Sequence, residues 1–76
     1  MRAARIISRN GRVIEVTATD QTREGFYAEP DRDVYGVAYF LGRDGSVEKQ
    51  RWGTGRNAGE FKSAKRMNAR WEWVKK

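Results

Sequence analysis

The chain has 76 residues, with 16 Lys and Arg against 10 Asp and Glu, and it contains neither Cys nor His. This excludes disulfide staples, thiol chemistry and ordinary zinc sites, so a small core must be held by packing, with three Trp, three Tyr and three Phe as its main material. The net charge of +6 favours an anionic partner.

The opening Met1-Arg2-Ala3-Ala4-Arg5-Ile6-Ile7 has no apolar run of signal-peptide length. No segment approaches the roughly 20 apolar residues of a membrane span. The expectation is one compact domain over residues 1–76, cytoplasmic, with no membrane partner and no cofactor. Residues 20–33 carry five acids against two Arg, whereas both ends of the chain are basic.

Arg5 to Thr19 reads as a hairpin about Asn10-Gly11, a dipeptide suited to a two-residue type I′ turn. That turn sets Arg9 opposite Arg12, Ser8 opposite Val13 and Ile7 opposite Ile14. Ile7, Ile14, Val16 and Ala18 then form the core face. Asp20 to Asp33 has no period, and Phe26 and Tyr27 are expected to pin it as a packed loop or a short edge strand. Val34 to Trp52 reads as a second hairpin. If Asp44-Gly45 form its loop, Val37, Tyr39 and Leu41 share a face with Trp52, and Phe40 lies opposite Lys49 beside Val47 and Arg51.

A helix is expected from about Ala58, capped by Asn57 with Glu60 three residues on. Phe61, Ala64, Met67 or Asn68, Trp71 and Val74 recur at helical spacing, and Lys62, Arg66 and Arg70 form a separate i, i+4 stripe. The expected fold class is α+β: a four-stranded antiparallel sheet of two hairpins with a C-terminal helix packed on one face (ββββα).

The candidate binding residues follow from that fold. Lys62, Arg66 and Arg70 are spaced to meet a phosphate backbone, with only Glu60 and Glu72 nearby to neutralise them. Gly53-Thr54-Gly55-Arg56-Asn57 lets backbone approach an anion, with Arg56 closing on it, although a tight connection explains the glycines more simply. Arg9 facing Arg12 places two like charges together, which an anion between them would relieve. Phe40 with Lys49 and Arg51 would make a stacking platform unless Phe40 is core. Trp73 lies off the core stripe, beside Arg70 and near Lys76, as a recognition aromatic. Glu29-Pro30-Asp31-Arg32-Asp33 matches no calcium loop, so no metal site is expected. Without His, Cys or an activated hydroxyl, an enzyme is not expected.

Tyr35 to Trp71 resembles the strand–strand–helix DNA-binding modules of integrase N-terminal arms and AP2-type domains. The likeness lies in an aromatic-rich hairpin, the turn Gly53-Thr54-Gly55 and the segment Glu60-Phe61-Lys62-Ser63-Ala64. It implies strands followed by a helix. The chain is also similar in size and style to small phage proteins that disable host machinery, CRISPR inhibitors among them. The sequence therefore points to a non-enzymatic nucleic-acid-binding domain with DNA or RNA as partner. The alternative is a phage-type inhibitor or adaptor that binds an acidic or nucleic-acid-binding protein complex, with Trp73, Tyr27 and Phe26 as anchors. A homodimer paired through an open sheet face is a third expectation.

Overall fold

The computed structural model describes residues 1–32 and 34–75. Seven strands, β1 (Arg2–Ser8), β2 (Val13–Gln21), β3 (Gly25–Pro30), β4 (Val37–Gly42), β5 (Val47–Trp52), β6 (Phe61–Arg66) and β7 (Ala69–Trp73), make one antiparallel sheet in the order β6-β5-β4-β3-β2-β1-β7. β6 and β7 follow one another in the chain yet occupy opposite edges of the sheet. Only Met67 and Asn68 join them, so the sheet curls into a half-barrel that brings its edges together. The Met67 amide donates to the Val47 carbonyl at 2.9 Å, and the Arg9 amide donates to the Asn68 carbonyl at 3.1 Å. These two bonds fix the junction between β5 and the first turn.

The expected α+β class is overturned. Among the described residues there is no α-helix, only a single 3₁₀ turn at Gly55–Asn57, and the segment expected to be helical forms β6 and β7. Ala69-Arg70-Trp71-Glu72-Trp73 alternates small or aromatic residues with charged ones. In a helix Trp71 and Trp73 would point about 200° apart, leaving one outside the core. In a strand both lie on the inner face, and each Trp removes on the order of 150–250 Å² from water. That burial outweighs the modest helix propensity of Lys62 to Met67. The likeness to strand–strand–helix modules loses its helix for the same reason.

The β1–β2 and β4–β5 hairpins each use a three-residue loop rather than the expected two. Ser8 and Arg12 close the first: the Ser8 amide donates to the Arg12 carbonyl at 2.8 Å, and the Gly11 amide to the Ser8 carbonyl at 2.9 Å. Gly42 and Ser46 close the second with the same bonds at 2.9 and 3.0 Å. Gly11 (φ 85°) and Gly45 (φ 91°) take the left-handed position that ends such a loop. The side chains before them reinforce the turn. Asn10 Oδ1 accepts from the Arg12 amide at 3.1 Å, and Asp44 Oδ1 accepts from the Ser46 amide at 3.0 Å.

The extra residue shifts each register by one. Ile6 faces Ile14, Ile7 faces Val13, and Arg9 stands in the loop rather than opposite Arg12. On β1 the inner residues are Ala4 and Ile6, not Ile7. In the second hairpin Leu41 faces Val47, Tyr39 faces Lys49 and Phe40 faces Glu48.

The core lies inside the curl, where Ala4, Ile6, Val16, Ala28, Leu41, Val47 and Tyr39 are buried. Phe26, Trp71 and Trp73 close one end as an edge-to-face cluster with centroids 4.9–5.9 Å apart. Arg2 and Arg43 lay their guanidiniums over Trp73 and Phe26 at 4.1 and 4.8 Å. The acidic stretch is neither loop nor edge for most of its length. β2 runs on to Gln21, and β3 is a central strand carrying Phe26, Tyr27 and Ala28. Of the acidic run that ends it, Asp33 lies outside the described residues, as does Lys76 at the end of the chain.

Candidate functional site

The register of β4, β5 and β6 builds a basic surface on the inner side of the sheet. Tyr39 pairs with Lys49, and Lys49 pairs with Lys65, which makes one row across three strands. Val37, Arg51 and Ser63 make the next row. Lys49 and Lys65 are thus like charges in directly opposed positions, with Cβ atoms about 4.5–5.5 Å apart, an arrangement that destabilises a sheet. Among the described residues the one ion pair within 4 Å is Arg70–Glu72, at 3.1 Å.

The outer side of the same three strands is different in kind. Glu48 faces Arg66, while its Oε2 accepts from Gln50 Nε2 at 3.1 Å. Gln50 is buried between Ala38 and Ala64 in register, and its Oε1 accepts from Trp52 Nε1 at 3.2 Å. Trp52 meets Phe61 edge-to-face at 5.4 Å, and Phe40 meets Tyr27 at 5.1 Å. Phe40 therefore stands with Glu48 and Tyr27, not with Lys49 and Arg51, and the expected stacking platform does not form.

A cleft of about 640 Å³ opens beside the basic rows, lined by Arg12, Ile14, Pro30, Val37, Tyr39 and Lys49 together with Val13, Glu15, Asp31, Arg32 and Val34. It exists because β3 ends at Pro30, opposite Val16, while β2 reaches back to Val13. Burial pushes the Tyr39 phenol above its usual pKa, and the positive charge of Arg12 works in the opposite direction. The hydroxyl thus stays protonated beside a guanidinium. Asp31 accepts a hydrogen bond from the Thr17 hydroxyl at 2.7 Å, and Glu15 stands opposite Arg5 in register.

The residues singled out in the sequence fall into three places. Arg12 lines the cleft, and Arg9 is exposed in the neighbouring loop. Lys62, Arg66 and Arg56 belong to the β5–β6 hairpin. Arg51 faces Ser63 and Trp52 faces Phe61, so Lys62 is the extra residue of a β-bulge. Arg56 lies in the 3₁₀ turn at the hairpin tip. Arg70 and Trp73 are on β7 at the far edge of the sheet, Arg70 joined to Glu72 and Trp73 packed among aromatics. The stripe Lys62-Arg66-Arg70 is therefore divided between two edges.

The glycine turn also changes character. No helix stands behind Gly53–Asn57, and the amides of Gly53, Asn57, Ala58 and Glu60 donate to carbonyls within the loop. A Cβ on Gly53 would collide with the Asn57 carbonyl oxygen, so close backbone approach within the loop requires that glycine. Sequence reasoning passes over Tyr39 and Lys65 as site residues and places Lys49 and Arg51 on the wrong face. Pairing apolar and oppositely charged residues across these two hairpins would place Tyr39, Lys49 and Arg51 on one face, because only the three-residue loops set Leu41 against Val47 and Arg5 against Glu15.

Among the described residues no cluster of three or more His, Cys, Asp or Glu side chains is placed to hold a metal ion, and no helix is long and apolar enough to cross a membrane. Scans against protein-family models, curated proteins and solved structures each gave no match.

Proposed function

We propose that this protein is a non-enzymatic nucleic-acid-binding domain, acting in the cytoplasm, whose contact surface is the inner side of β4, β5 and β6 with the adjoining hairpin tip. The observation that carries the reading is Lys49 held directly opposite Lys65, with Arg51 one row away. A fold that sets two lysines directly opposite one another across neighbouring strands, at its own expense, is relieved by an anion between them. Lys62 and Arg56 extend the same positive hairpin towards its tip, Arg12 continues it at the cleft, and Arg66 lies on the outer side opposite Glu48. Regularly spaced cations match a polyanion better than a single phosphate does.

The test is a fluorescence-anisotropy titration with DNA and RNA oligonucleotides at two salt concentrations. Binding at about 50 mM salt that weakens by orders of magnitude at about 200 mM supports the reading. No binding to either nucleic acid at the lower salt rejects it.

A protein-binding role, as an inhibitor or adaptor of the phage type, is favoured by a different observation. Tyr35 is 79% exposed and Phe61 50% exposed, and exposed aromatics of this kind serve as interface anchors. These two replace Trp73 and Phe26, which pack against one another inside the curl, as the anchors of that reading. A partner that stays bound in a lysate pull-down after nuclease treatment, and is lost on Tyr35→Ala, would favour it.

A further inference from the structure

We infer that the cleft between β2 and β4 receives one unstacked base, which makes single-stranded nucleic acid the ligand class. The inference rests on the proposed function and adds to it a site and a strand state. At this end of the sheet β3 is missing between its neighbours, so a ligand meets side chains rather than a continuous strand. Ile14, Pro30, Val37 and Tyr39 supply apolar and aromatic surface, and about 640 Å³ lies within the range of small-ligand pockets, roughly 300–1,000 Å³.

Cations beside an apolar and aromatic lining suit a base with its phosphates. Arg12 and Lys49 supply cations, and Lys49 is the end of the row that continues to Lys65 on β6. A phosphate chain that follows this row arrives at the cleft. Asp31 and Glu15 lie on the other face of β2, Asp31 bonded to Thr17 and Glu15 opposite Arg5. The Tyr39 hydroxyl is the lining group that can pair with the carbonyl and N–H groups of a base edge. A base in a duplex has both faces stacked and its pairing edge occupied, so it cannot present these groups without leaving the helix. An unpaired base presents them at no such cost.

The experiment compares three probes of one length on the full chain at about 50 mM salt: a single-stranded oligonucleotide, the same strand in a duplex, and the same strand with abasic sites. The expected result is that the abasic strand and the duplex each bind about tenfold more weakly than the intact strand, as removal of one well-packed base implies. Val37→Trp, which fills the cleft, should remove the difference in affinity between the intact and the abasic strand. Methyl NMR shifts of Ile14 and Val37 in the unaltered protein on adding the intact strand give the same information should the variant fail to fold. Equal binding of intact and abasic strands, tighter binding of the duplex, or unmoved Ile14 and Val37 methyls would overturn the inference and leave the proposed function standing. Absence of binding to all three probes would remove both.

Discussion

The indole Nε1 of Trp71 donates to the carbonyl oxygen of Gly42 at 2.7 Å, which ties β7 to the end of β4 although three strands lie between them in the sheet. This bond spans the inside of the half-barrel and holds its curl. Trp71→Phe keeps an aromatic ring in contact with Phe26 but removes this bond across the curl, while the Gly42 carbonyl keeps the Gly45 amide as its other donor at 3.0 Å. The expected loss is about 0.5–1.5 kcal/mol, the net worth of one hydrogen bond. Urea denaturation at constant m-value measures it. A Trp71→Phe variant as stable as the parent would show that the curl is held elsewhere.

Gly25 and Gly42 face each other where β3 and β4 approach closely. A Cβ at Gly25 would collide with the Leu41 carbonyl oxygen and come within 3.0 Å of the Phe40 ring. Backbone cannot give way here without breaking the β3–β4 ladder. Gly11 has a positive φ but open space around it, so alanine there carries only the left-handed penalty of about 1–2 kcal/mol. Gly25→Ala should therefore lower the melting temperature well beyond Gly11→Ala. The reverse order in a thermal melt would contradict this packing.

Much of β1, β2, β4 and β5 is legible in the sequence, because Asn10-Gly11 and Asp44-Gly45 mark their turns. What those dipeptides leave open is loop length, and one residue changes every facing pair. The preceding Arg9 and Arg43 belong to the loops, which puts Ile6 rather than Ile7 in the core and turns Lys49 towards Tyr39. The carboxy-terminal third misleads for a separate reason. Phe61, Ala64, Trp71 and Val74 fit a helical period by spacing alone, yet the strict alternation at Ala69 to Trp73 is also present and buries more aromatic surface. Edge pairing of β6 and β7 depends on residues far apart in the chain, which local periodicity does not record. Lys65 becomes visible as a site residue only once β6 is a strand set against β5.

Asp44 gives the second turn a pH dependence. Its carboxyl is held below the usual 3.8 first by the hydrogen bond from the Ser46 hydroxyl at 2.6 Å and then by the bond from the Ser46 amide at 3.0 Å. A lowered folded pKa means that the folded state binds the proton less tightly than the unfolded state. The stabilisation is complete above pH 3.8 and is lost as pH falls through the lower folded value. Asp44→Asn keeps a turn-forming side chain without the titration. The stability difference between parent and variant should be constant at neutral pH and shrink on acidification. A difference that grows towards low pH in parallel chemical denaturations would reverse the assignment.

The opposition of Lys49 and Lys65 separates stability from binding. Lys65→Glu turns a repulsive cross-strand pair into an attractive one, so the fold should gain about 0.2–1 kcal/mol. The same change takes a cation from the proposed contact surface and adds an anion in its place. Affinity for nucleic acid should fall, and the slope of log K against log salt should decrease by about 1 for each phosphate no longer neutralised. A variant that is more stable but binds less well is the expected pair of results, read from denaturation and from anisotropy at several salt concentrations. Were Lys65 merely a solvated edge residue of the kind that keeps sheets from aggregating, the stability gain would appear with binding unchanged. Were the two ammonium groups splayed apart into water, neither measurement would move. The combined outcome therefore distinguishes a functional charge pair from a protective one on the same strand.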